Sequence, residues 1–148
     1  MVELLTIHLK CEHLPGASFC DPFGRPMQVS LAIQKGKEPE ATVLANMKEV
    51  TFVAEVRVKD QPEGSLDFAG PYIHGKLGER FIYLTWGDTT HGRFEMFRRA
   101  KIQLNQVPDA KVRKHLKSGR PIVAELRLTD AKGGPLCATV KPPYIRWK

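Results

Sequence analysis

Apolar residues recur at every second position along much of the chain. Leu5, Ile7 and Leu9 alternate with Thr6, His8 and Lys10. Met27, Val29, Leu31 and Ile33 alternate with Gln28, Ser30, Ala32 and Gln34. Val50, Phe52, Ala54, Val56 and Val58 alternate with Thr51, Glu55, Arg57 and Lys59. Each run predicts a strand with one buried face and one wet face, as in an antiparallel sheet packed on one side.

The segment Phe81, Ile82, Tyr83, Leu84, Thr85, Trp86 is apolar at both parities. It predicts a central strand covered on both sides, or one that faces a ligand cavity. Ala100, Ile102 and Leu104 then alternate with Arg99, Lys101 and Gln103. A last pair of strands is expected at Ile122, Ala124, Leu126, Leu128 and at Leu136 to Val140. They are joined by a turn through Asp130 to Gly134, whose paired glycines suit positive φ.

One helix is expected near residues 108–118. Pro108 fits a first helical position, Val112 and Leu116 form an i,i+4 apolar pair, and Gly119 suits the end. Glu38 to Met47 is ambiguous, with Ala41 to Asn46 reading as a short helical turn or a strand extension. The expected fold is therefore mainly β (α+β), an antiparallel β-sandwich or small barrel of seven or eight strands with one helix in the C-terminal half. Residues 1–148 read as a single domain. Long loops at residues 11–26, 62–78 and 87–97 are the natural places for function.

Composition adds limits. Hydrophobic residues are 42% and charged residues 26% of the 148, as in a folded globular chain. No stretch reaches the ~20 apolar residues of a membrane helix. The amino end has no apolar core of a secretory signal, so a cytoplasmic setting and no membrane partner are expected. Three cysteines, Cys11, Cys20 and Cys137, are read mainly as reduced thiols.

The net charge of +7 is unevenly spread. Arg93, Arg98, Arg99 and Lys101 are close in sequence, and Lys111, Arg113, Lys114, Lys117 and Arg120 follow on the helix. If the strand holding Lys101 packs beside that helix, one basic face results. Such a face suits an anionic small ligand, an acidic protein or nucleic acid, although a solvated helix face looks the same. Aromatic residues that would stack bases are missing from the helix.

Candidate chemistry is sparse. His8, Cys11, His13 and Cys20 resemble a ligand set, but strand parity turns His8 and Cys11 apart and the spacing fits no common zinc pattern. No metal and no cofactor are expected. Asp88 and His91, in a glycine-flanked loop, could exchange protons, and the same residues make an ordinary turn. Cys137 reads as a buried inert thiol.

Three blocks carry a resemblance. Gly70 to Leu84 (GPYIHGKLGERFIYL) resembles the signature of a small bacterial family catalogued as domain of unknown function 5990. Arg98 to Leu104 (RRAKIQL) is similar to that family's basic strand, and Gly133 to Val140 (GGPLCATV) to its ending. The loop from Asp88 to Glu95 has no counterpart in that pattern. The resemblance implies no activity, substrate or cofactor. It draws attention to Arg80, Tyr83, Arg98, Arg99 and Lys101.

Two functional readings follow, with a third that needs no ligand. In the first, a non-enzymatic binding domain grips an anionic small ligand or acidic partner with Arg80, Arg98, Arg99 and Lys101, and rests its apolar part on Tyr72, Tyr83 or Trp86. In the second, a small enzyme uses His91 or His74 as proton carrier and Arg80 as clamp. An enzyme of that kind needs histidine and arginine to converge on a cleft. In the third, the chain is a structural partner subunit with no ligand; separately, an arginine next to Glu79 or Glu95 would form only an ion pair that pins loops to the sheet. The tail from Pro142 to Lys148 serves either a dimer contact or a cap on the core.

Overall fold

The computed structural model describes residues 2–13, 23, 25–43, 49–76, 78–128 and 144–148. Nine strands and one α-helix are found among them: β1 (Val2–His13), β2 (Val29–Lys35), β3 (Glu38–Val43), β4 (Glu49–Asp60), β5 (Leu66–Ala69), β6 (Phe81–Asp88), β7 (Glu95–Gln103), α1 (Asp109–Ser118), β8 (Ile122–Leu128) and β9 (Tyr144–Trp147). They form two sheets, ordered β5-β4-β1-β8-β9 and β3-β2-β6-β7. The mainly-β fold with two sheets and a single helix in the C-terminal half is thus as expected.

The inward positions of both sheets make one core. Leu5, Ile7 and Leu9 of β1 and Phe52, Ala54 and Val56 of β4 meet Leu31 and Ile33 of β2 and Leu84 and Trp86 of β6 in a single apolar cluster. Burying a chain such as Leu5, Ile7 or Leu31 contributes about 1.5–3 kcal/mol. Strand β4 shows the alternation most plainly, with every second residue from Val50 to Val58 buried. Cys11 continues the buried face of β1, while His8 lies at the other parity, opposite Val53 and Val123. Burial, with Glu12 adding to it, pushes the Cys11 thiol above its ordinary pKa.

Several sequence expectations change here. The pairing is not purely antiparallel: β1 and β8 run parallel, with Leu9 opposite Ala124. The ambiguous region is a strand as far as Val43, an edge with Pro39 and two glutamates. The loop expected at residues 62–78 contains β5. The tail supplies β9, which pairs with β8. Pro108 is the N-cap rather than the first helical residue, and Gly119 ends the helix at φ 71°. The turn from Asp130 to Gly134, the strand at Leu136 to Val140, Cys20 and Cys137 lie outside the described residues.

Strand β2 also departs from its pattern. Its polar parity was expected to be wet, yet Ser30 and Ala32 are buried. Thr89 lies over this side and hydrogen-bonds to the Gln28 carbonyl and to the Ser30 hydroxyl. Beside it, Phe94 packs so tightly on Gly87 that a Cβ there would fall 2.6 Å from the ring. Loops therefore roof part of the outer face of the four-stranded sheet. Strand β6 is mostly buried on both faces, as its double-sided apolar pattern predicts, with Tyr83 and Asp88 half-buried.

Candidate functional site

The signature residues converge on the uncovered part of that outer face. Phe81 and Tyr83 share one parity of β6, and across the ladder Tyr83 stands opposite Lys101 of β7. Arg99 stands opposite Thr85. The Arg99 guanidinium lies 4.1 Å from the centroid of the Tyr83 ring, and the Lys101 ammonium 4.1 Å from that of Phe81. A cation over an aromatic face is held by the ring quadrupole, worth about 0.5–1 kcal/mol at an exposed site. The two rings meet edge-on at 4.7 Å.

His74 closes the cluster. Its ring stacks on Phe81 at 5.8 Å and tilts against Tyr83 at 5.3 Å. Its Nε2 lies 3.4 Å from the Gln34 carbonyl, and its backbone bridges Phe81. The histidine offered above as a proton carrier packs between a loop and the sheet.

Arg80 is used differently. One guanidinium N–H donates to the Gly75 carbonyl at 2.9 Å, and another to the Asp67 carboxylate at 3.2 Å. It ties the glycine-rich loop to β5. Its ion-pair partner is Asp67, and the arginine paired with Glu95 is Arg93. Gly75 permits this loop: at φ 84° it avoids the strain a side chain would meet, and a Cβ would sit 2.1 Å from the Glu79 carbonyl.

Arg98 takes the parity of Ala100 and Ile102, the core side of β7. A register shift between Trp86 and Gly87, as at a β-bulge, leaves Phe97 without an opposite residue. Tyr72 instead lies beneath the Lys35 ammonium at 5.9 Å and lines a cleft with Glu40 and Phe52. Of the six residues singled out from sequence, only Tyr83, Arg99 and Lys101 stand together.

The helix cations do not extend this patch. Helix α1 packs on β1, and Arg113 donates to Asp60 at 2.6 Å and to the Gly64 carbonyl at 2.9 Å. Its sheet partners are those of the five-stranded sheet, whereas β7 pairs with β6.

Two larger clefts are found among the described residues. One, of about 320 Å³, lies between α1 and the ends of β4 and β5, lined by Glu3, Asp60, Arg113 and Lys117 among others. The other, of about 430 Å³, is lined by Glu40, Glu49, Phe52 and Tyr72 among others. Neither is lined by a histidine, nor by Arg80, Tyr83, Arg98, Arg99 or Lys101. Asp88 accepts hydrogen bonds from the Thr90 N–H and hydroxyl, while His91 is exposed at the loop tip. No cluster of three His, Cys, Asp or Glu with metal-binding geometry occurs among the described residues. No helix there is long and apolar enough to cross a membrane.

Of this cluster, the sequence does not single out Phe81, and it singles out His74 only as an alternative proton carrier. Phe81 was legible as sharing a parity with Tyr83. The position of His74 depends on how its loop folds back, which no periodicity records.

The fold and site define a two-sheet, mainly-β protein whose smaller sheet ends in a cation-bearing edge strand. The chain belongs to the family described as "Family of unknown function (DUF5990)", which it matches over residues 5–148. Neither the curated proteins nor the solved structures give a match.

Proposed function

We propose that this protein is a non-enzymatic binding domain for an acidic partner, and that Arg99 and Lys101 of β7 are its contact residues. The observation that carries this reading is the pair of cations held over Tyr83 and Phe81. Both are exposed, and among the described residues no carboxylate lies within ion-pair distance of either. Long side chains usually lose much rotamer freedom on binding. Here the rings restrain them beforehand, and their charges still face solvent.

An acidic surface fits this arrangement better than a small anion. A small ligand is normally held in a concave site that buries most of it. The two cations stand on an open sheet face beside an edge, outside both clefts. A bacterial cytoplasm, where thiols such as that of Cys11 stay reduced, is part of the same proposal.

A thermal-shift screen at low and moderate salt tests it. Binding to the native state raises the melting temperature by mass action. Glutamate-rich peptides are expected to raise it at low salt, less at moderate salt, and not in Arg99→Glu/Lys101→Glu. A salt-resistant shift from a single nucleotide, sugar phosphate or small carboxylate, retained in that variant, would contradict the reading.

A further inference from the structure

We infer that the acidic partner binds as an added strand: an extended peptide segment with acidic residues at alternate positions pairs with the free edge of β7. This rests on the proposed function above and specifies the form of its ligand.

Three observations carry it. First, β7 is nine residues long and is the last strand of its sheet, paired on one side with β6 and on the other with no described strand. Such an edge offers a row of backbone N–H and C=O groups, the template used in strand addition. Second, Arg99 and Lys101 share one face of β7, at the i,i+2 spacing of about 6.7 Å along a strand. Alternate residues of an added strand repeat at the same distance, so two acidic side chains fall on the sheet face that carries the two cations. Third, the rings of Tyr83 and Phe81 lie on the β6 side, beneath the cations rather than beyond the edge. Among the described residues no strand pairs with that edge.

The same charges select the partner. A second copy presenting its own β7 would set cations against cations, which is unfavourable. The acidic strand β3 of a second copy carries Pro39 as its second residue, between its two glutamates, which removes a ladder donor there. Single-stranded nucleic acid needs free aromatic faces to stack upon. Here Arg99 covers the Tyr83 ring, while Phe81 is only 8% exposed. An acidic extended segment of another protein meets both demands.

The test is fluorescence anisotropy with a labelled peptide that alternates Glu and Val and matches the length of β7. A control peptide has the same sequence with alternate backbone nitrogens methylated, which keeps the charge and removes strand donors. The expected result is binding of the first peptide, about tenfold weaker binding of the methylated one, and about tenfold weaker binding by Arg99→Gln/Lys101→Gln. Circular dichroism confirms that the variant is folded. Equal binding of both peptides would overturn strand addition and leave the acidic-partner reading standing. Failure of both to bind at low salt would overturn strand addition and that reading together. A single-stranded oligonucleotide that binds where the peptide does not, or self-association abolished by the same variant, would also overturn strand addition.

Discussion

The guanidinium of Arg99 lies 4.1 Å above the ring of Tyr83, across the ladder between β7 and β6. This pairing joins the edge of the sheet to its covered centre. A double-mutant cycle on Arg99→Ala and Tyr83→Leu, read by urea unfolding, is expected to give a coupling of about 0.5–1 kcal/mol. Tyr83→Phe keeps the ring face and is expected to retain most of it. Zero coupling would mean that the ring does not hold the cation.

Arg80 has a structural task and Arg99 an exposed one, so their substitutions should differ in kind. Arg80→Ala removes the bonds to Gly75 and Asp67 and is expected to cost about 1.5–3 kcal/mol in urea unfolding. At a temperature where the variant is folded, acidic-peptide binding is expected to be unchanged. Lost binding with full stability would return Arg80 to the contact set.

Gly75 and Gly87 both lack room for a side chain, for different reasons. At Gly75 the obstacle is the Glu79 backbone and φ is positive, so Gly75→Ala is expected to cost about 1–3 kcal/mol. At Gly87 the obstacle is the ring of Phe94, which can swing aside. Gly87→Ala is expected to cost less and to expose Phe94 and the loop it anchors. Thermal melts compare the two, and amide hydrogen exchange of residues 89–94 reports the loop.

Strand parity and the central position of β6 were legible in the sequence because burial on one or two faces writes itself as period two or as a continuous run. The helix was legible to within one residue from Pro108, Val112, Leu116 and Gly119. Strands β3 and β5 were not. The first carries Pro39 and two glutamates, which only an edge tolerates, and the second is four residues long. The parallel pairing of β1 with β8 joins segments far apart in the chain, and no local pattern encodes it. The wet face assigned to Ser30 and Ala32 was wrong because loops cover it. In the site, Arg99 and Lys101 were assigned to a wet face by parity alone. Their seats over Tyr83 and Phe81 follow from the β6–β7 register, and the Arg80–Asp67 tie from a loop closure; neither can be read from composition or spacing.

Acid should act on the outer face of the larger sheet. Lys148 donates to Glu125 at 2.8 Å, and this bond chiefly lowers the pKa of Glu125. The charges of Lys148, Lys10 and Arg146 add to the effect, and desolvation opposes it. Because the folded value is depressed, the stabilising contribution is present above the unfolded value of 4.5 and is lost as pH falls through the folded one. Carboxyl-detected NMR titration is expected to find Glu125 below the ordinary glutamate range, rising in Lys148→Ala. An unchanged value in that variant would assign the shift elsewhere.

The most direct measurement of the central claim is a two-dimensional amide NMR titration of the ¹⁵N-labelled protein with the Glu–Val peptide at low salt. The account expects the largest shift changes at the amides of β7, from Arg98 to Gln103, and at Tyr83, with little change on α1. Changes centred on Lys111, Lys114 and Lys117 of the helix, with β7 unmoved, would contradict it.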